Sequence, residues 1–304
     1  MLNDFPKVAG QEREDKILEC VRNGRAKYEF AKITSKHNNH TAEFLVFEDA
    51  LKVDGIRVNV TAKTQQQIAD LLYCTLPTAK ICDLMYHLCE HRIIPFPRPI
   101  TSTTQAMIEH SQNIDKEIVK LGSPKGLKSS VGKTWIIDNS LLTPKLPDQA
   151  CNYGWHIPEK TFKGINGNVC ASLLKNPKTG LFWYMIQSRG FFHNYSHSDY
   201  SQTVILVSRQ CWVDGKEMDI REVFSNPELA PLANHDGVLR VFRQPKVPEL
   251  DTIIPQTEVS KPENEDEISW PPESPTVPDI IPSLPKESTD LDIHISYMDN
   301  EKPA

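Results

Sequence analysis

Gly126-Leu-Lys-Ser-Ser-Val-Gly-Lys-Thr-Trp-Ile-Ile-Asp138 is where the texture of this 304-residue chain changes. The stretch begins like a phosphate-binding loop. Such a loop needs four residues between its glycines, so that successive backbone N–H groups converge on phosphate, and it must join a strand to a helix. Five residues separate Gly126 from Gly132, and Thr134-Trp-Ile-Ile-Asp138 reads as a strand. Nucleotide binding is rejected on that spacing. Helical periodicity dominates before this point, and short strands with turns follow it.

Upstream, Ile17, Leu18 and Val21 place a helix over residues 11–23, stopped by Asn23-Gly24. Residues 28–34, 41–47 and 56–61 are rich in β-branched and aromatic side chains and read as short strands, with Asp54-Gly55 as a turn. Ile68, Leu71 and Leu72 form the face of a helix over 65–73, begun at Thr64. Pro77 breaks it before a second helix over 79–91, whose stripe is Ile81, Leu84, Met85 and Leu88. Ile94-Pro-Phe-Pro-Arg-Pro99 must run extended, and a helix resumes over 103–121. Residues 122–130 read as loop.

Downstream, residues 134–137, 169–174, 182–187, 203–208 and 238–242 are expected strands, Asn176-Pro-Lys-Thr-Gly180 a hairpin turn, and 219–224 a short helix. The expected class is α+β, with central helices and antiparallel sheet elements at both ends of the folded region. A sub-boundary near 122–133 is allowed inside one domain spanning 1–249.

The charge is divided unevenly. From residue 250 onward, nine prolines and thirteen acidic residues against three lysines fall in 55 residues. That tail carries −10 of a whole-chain −6, which leaves residues 1–249 near +4. Such a composition buries too little apolar surface to order itself, so 250–304 is expected to be a disordered, acidic, Pro-rich tail. Trp270 and Asp292-Ile-His-Ile-Ser-Tyr297 are the segments through which it could dock a protein partner. The folded part has no basic stripe for nucleic acid, and Lys120, Lys125, Lys128 and Lys133 are expected on a solvated loop. No apolar run has the length of a membrane span, and the start lacks a signal peptide, so cytoplasmic residence is the default, with non-Sec export left open. Seven cysteines, none in a Cys-x-x-Cys pair, fit a reducing compartment.

His87-Leu-Cys-Glu-His91 matches the inverted zincin order, but no acidic ligand helix follows it, and it is read as the packed end of a helix. The densest polar run beside an apolar strand is Phe191-Phe-His-Asn-Tyr-Ser-His-Ser-Asp-Tyr-Ser-Gln-Thr203. In an extended chain His197, Asp199, Ser201 and Thr203 share one face, while Tyr200 and Gln202 take the other. His197 and Asp199 at i, i+2 suit either a divalent metal such as zinc or a base and its orienter, with Ser201 as a hydroxyl to be activated. His193 and His156 complete a candidate metal set of His156, His193, His197 and Asp199. Tyr200 would bind substrate or an oxyanion. The competing expectation is a polar turn whose histidine and carboxylate satisfy one another. His235-Asp236-Gly237 reads as a turn.

Gln67-Ile-Ala-Asp70, Leu76-Pro-Thr-Ala-Lys80, Tyr153-Gly-Trp-His156 and His197-Ser-Asp-Tyr-Ser-Gln202 together resemble an uncharacterised bacterial protein family, over about residues 10 to 245, with a Gly-Trp-His and a His-x-Asp-Tyr-Ser core and no established activity. In those relatives the last run ends in a second histidine, where this chain has Gln202, and an Arg-containing strand follows, whereas Ser208-Arg209 comes later here. The resemblance implies one domain and directs attention to His156, His193, His197, Asp199 and Ser201. The expected function is a hydrolase acting on a peptide or cell-envelope polymer through the 193–201 loop. The alternative is a non-catalytic binding or assembly protein that recruits a partner through its tail.

Overall fold

Threonines start the three central helices. Thr61, Thr78 and Thr103 each sit in extended backbone and accept a hydrogen bond from the N–H three residues on, satisfying a donor that the first helical turn leaves open. The computed structural model describes residues 2–253 except 3, 90, 100, 123–124, 158–171 and 176–181, with backbone alone at 172–175 and 182–184. The expected tail from 254 onward, Asn176–Gly180 and part of the strand expected at 169–174 lie outside the described residues.

In chain order, α1 (Gln11–Arg22) precedes β1 (Ala26–Lys27), β2 (Phe30–His37), β3 (His40–Phe47), β4 (Lys52–Val53) and β5 (Ile56–Arg57). Then come α2 (Ala62–Leu71), β6 (Cys74–Thr75), α3 (Ala79–Leu88), β7 (His91–Arg92) and α4 (Thr104–Lys120). The second half holds β8 (Lys128–Ser129), β9 (Lys133–Ile136), β10 (Gln149–Ile157), β11 (Ser172–Lys175), β12 (Phe182–Asn194), β13 (Val207–Val213), β14 (Lys216–Asp219), α5 (Ile220–Ser225) and α6 (Ala230–Ala233). This is the α+β arrangement the sequence predicts. One sheet runs β14-β13-β3-β2, with β6 also on β13, and a second runs β11-β12-β10-β9. All of these pairings are antiparallel; β7 and β8 pair in parallel. The β4–β5 hairpin turns at Asp54-Gly55, both with positive φ (48° and 82°), the conformation that makes Asp-Gly a hairpin signal. One hydrophobic cluster draws from both sides of residues 122–133, including Ile17, Phe44, Ile68, Leu84, Trp135 and Val207.

Three expectations are corrected, and one strand was not foreseen. The helix expected to reach His91 ends at Leu88, because Cys89 is extended and His91 joins β7, its Nε2 bonding the Lys125 carbonyl at 2.5 Å. Residues 238–242 form no strand; Leu239 and Arg240 instead bond Phe224 O and Asn139 Oδ1. Lys128 is not solvated but buried on Glu48, at 2.8 Å. The central strand β10 was not foreseen: all nine of its residues are buried, so polar and apolar side chains do not alternate, and bulges interrupt its pairing with β12. At the other end, Leu250 N and Ile253 N bond Asp70 Oδ2 and Leu71 O, so the described chain remains tied to α2 through 253.

Candidate functional site

The 193–201 run is a turn rather than an extended ladder. β12 ends at Asn194, and Asp199 then gathers its own neighbours: Ser201 Oγ and Ser201 N donate to Asp199 Oδ1 at 2.5 and 2.8 Å. Gln202, expected on the opposite face, turns in. Its Oε1 accepts from Asp199 N at 2.6 Å and its Nε2 lies 3.3 Å from Asp199 Oδ2. Lys133 Nζ and His197 Nε2 approach the same oxygen to 3.7 and 3.8 Å. Burial pushes the Asp199 carboxyl up, but His197, Lys133 and the Ser201 bonds outweigh it and hold it well below the usual carboxylate range. His193 and His197 stack at 3.9 Å with rings 5° apart, both edge-on to Trp135. Burial pulls His193 down to about 4, assisted by His197 and Lys133. Ser201 is 1% exposed with its proton on Asp199. Its hydroxyl is a turn bond, not a poised nucleophile. Tyr200 is also occupied, donating to Arg98 O at 3.1 Å and accepting from Arg98 N at 2.7 Å.

His156 goes elsewhere. From β10 its Nε2 meets Asp83 Oδ1 of α3 at 2.7 Å, and Tyr153 OH donates to the same oxygen at 2.8 Å. His235, after α6, places its Nε2 2.5 Å from Asp83 Oδ2. Burial raises the Asp83 carboxyl, but the bonds from His156 and His235 prevail and its pKa falls below the ordinary value. Tyr86 stacks on the His156 ring at 4.9 Å. Nε2 of both rings lies on the carboxylate. This is the carboxylate–histidine pairing that fixes tautomer and orientation in acid–base catalysis.

His156 and Tyr153 also line a small cleft, with room for about 30 Å³ and open to solvent, whose other walls include Met85, Ser130–Gly132, Trp155 and Ile205. Two non-glycine residues with left-handed backbone, Ser130 (φ 60°) and Trp155 (φ 57°), stand in those walls. Strain of that kind persists only where its surroundings over-determine it. Here Ser130 Oγ donates to His156 O at 2.7 Å, and Trp155 packs with Tyr200 and His110 under Lys133 Nζ.

The four residues expected to share a metal do not converge, since His156 belongs to Asp83 while His193 and His197 stack beside Asp199. Among the described residues no group of three or more His, Cys, Asp or Glu side chains is placed to hold a metal ion. His87 and His91 stand on different elements. The rejected phosphate loop likewise leads into strand β9 and not a helix. No described helix is long and apolar enough to cross a membrane. Sequence reasoning missed Asp83, and it read His235 as a turn. The available signal was a carboxylate inside the apolar stretch Ile81–Met85, since a buried charge requires partners.

The chain matches no known family model, no curated protein and no solved structure. The likeness of its short runs to a bacterial family therefore stands on those residues alone.

Proposed function

We propose that the protein is a hydrolase acting on a peptide or cell-envelope polymer, with its acid–base centre at Asp83, His156 and His235. The observation that carries this is the buried Asp83 carboxylate holding two histidines through Nε2, one of them in the cleft wall. His156 would take a proton from water as the water oxygen adds to the scissile carbonyl, and return it to the leaving group as that bond breaks. Asp83 would stabilise the imidazolium formed between the two steps, and the Tyr153 hydroxyl would keep the carboxylate in register. Lys133 N donates to Ser201 O at 2.7 Å, which ties the Asp199 turn to the chain that enters the cleft wall at Gly132.

The test is product detection by mass spectrometry after incubation with a mixed peptide library and with purified peptidoglycan. General acid–base groups contribute about 10²–10⁴-fold, so His156→Ala should lose at least about a hundredfold in rate with its melting transition retained. Absence of product from the unaltered chain on both substrates removes the reading. Equal rates for His156→Ala and the unaltered chain remove the site.

A further inference from the structure

Strand β2 ends its sheet, and among the described residues no strand or bridge pairs with its far side. Its register tells which backbone groups that side carries. The strand joins β3 through a two-residue turn that sets His37 opposite His40, and at its other end Glu48 N donates to Glu29 O at 2.8 Å. Bonded and non-bonded pairs alternate along an antiparallel ladder, so Ala31, Ile33 and Ser35 bond β3 while Phe30, Lys32, Thr34 and Lys36 turn their N–H and C=O groups outward. Those outward groups meet no partner among the described residues. Lys36 is exposed, and Phe30, Lys32 and Thr34 are half-buried, so the edge can be reached.

A row of unpaired strand groups is a template for another strand, with main-chain bonds giving affinity and alternate side chains giving specificity. β2 is eight residues long, which is long for an edge left open. Its side chains alternate. Lys32, Thr34 and Lys36 stand on one face, and Ala31, Ile33 and Ser35 on the other, where Ser35 Oγ donates to Leu232 O of α6 at 2.6 Å. On the first face Lys32 meets Glu43 of β3 at 3.2 Å, whereas Lys36 has no ion pair among the described residues. A second copy is a poor occupant, because two-fold pairing of β2 with itself brings four lysines to one face of the seam, and like charges across a ladder repel. An acidic strand is the complement. We infer that β2 takes up an extended, acidic peptide of a partner protein as a further strand, with carboxylates on the lysine face and apolar side chains beside Ala31 and Ile33. This inference is independent of the proposed hydrolase.

The experiment titrates the full chain with a capped peptide that alternates glutamate with valine and is as long as β2, and with its lysine counterpart, read by nitrogen–proton correlation spectra and amide exchange. In the free chain the Lys32, Thr34 and Lys36 amides should exchange faster than those of Ile33 and Ser35, and the glutamate peptide should shift and protect them. It should bind at least about threefold more tightly than the lysine peptide, and Lys36→Glu should remove that preference. Thr34→Pro deletes an outward N–H without touching the β3 ladder, so it should weaken binding at least about tenfold with the melting transition retained. If that variant melts early, Lys36→Glu carries the decision. No binding, shifts confined to other residues, or equal binding of the two peptides would overturn the inference. Protection of the three amides in the free chain would overturn it too, showing the edge already taken: by a second copy if protection grows with protein concentration, and by another part of the chain if it does not.

Discussion

Asp83 and Asp199 are both buried carboxylates with histidines beside them, and both are held below their ordinary pKa. They differ in where their partners come from. Asp199 takes Ser201 and Gln202 from its own turn and has His197 two residues before it, with Lys133 of β9 as its one distant charge, so its hydrogen bonds close a local loop. Asp83 takes His156 and His235, 73 and 152 residues away, and His156 lines a cleft. A local cluster satisfies itself as the chain bends. A cluster assembled from distant elements must be held by the whole fold, which fixes its atoms in place.

The sharpest way to break this contrast is to remove each carboxylate in turn. Asp83→Ala should abolish hydrolysis and destabilise by about 3–5 kcal/mol, the cost of breaking a buried ionic cluster. Asp199→Ala should cost roughly 1–3 kcal/mol by loss of buried turn bonds, while hydrolysis stays within a few-fold of the unaltered rate. Urea denaturation and rate measurements on both proteins decide it; equal losses of activity would erase the distinction.

His110 lies between the two regions, bonding Val131 O and packing on Tyr200 and Trp155. Burial lowers its pKa to about 4. The folded state therefore favours neutral His110, whereas the unfolded chain protonates near 6.5, so the contribution is complete above about pH 6.5 and is lost as pH falls towards 4. At pH 4 the loss is about 3 kcal/mol. His193 titrates across the same window. His110→Phe should thus remove part, not all, of the slope of stability against pH between 6.5 and 4, and an unchanged slope would contradict the burial of its neutral ring.

Gly132 joins the cleft loop to the Asp199 turn at close quarters. A Cβ there would meet Thr203 Oγ1 at 2.3 Å and the Ser201 carbonyl at 2.7 Å. Gly132→Ala should destabilise by about 1–3 kcal/mol through overpacking, measured by thermal melting. A smaller effect is expected from Tyr153→Phe, which deletes one of the donors on Asp83 and should cost about 1 kcal/mol. It should lower hydrolysis modestly, while His156→Ala lowers it at least about a hundredfold.

Much of the frame was legible in the sequence. The apolar stripes of α1, α2 and α4, the Asp54-Gly55 turn and the strands around β2, β3, β9 and β12 all follow from contacts within a few residues. The strand β10 escaped because burial on every side removes alternation, and Gly154 with Asn152 sits inside it. The site was half legible. His156 was singled out, but its partner Asp83 carried no spacing signal relative to it. The one-face alignment of His197, Asp199 and Ser201 assumed an extended chain, and the turn after Asn194 replaced that geometry with hydrogen bonds to Asp199.

The sequence by itself determined the α+β class, the approximate positions of the central helices and the uneven division of charge between residues 1–249 and the acidic, proline-rich end, because propensity, periodicity and charge are local sums along the chain. Only the tertiary structure decided which histidine serves which carboxylate. A buried charge is stabilised by whichever donors the packed elements bring within about 3 Å, and that distance is set by the packing of α3, β10 and the chain after α6.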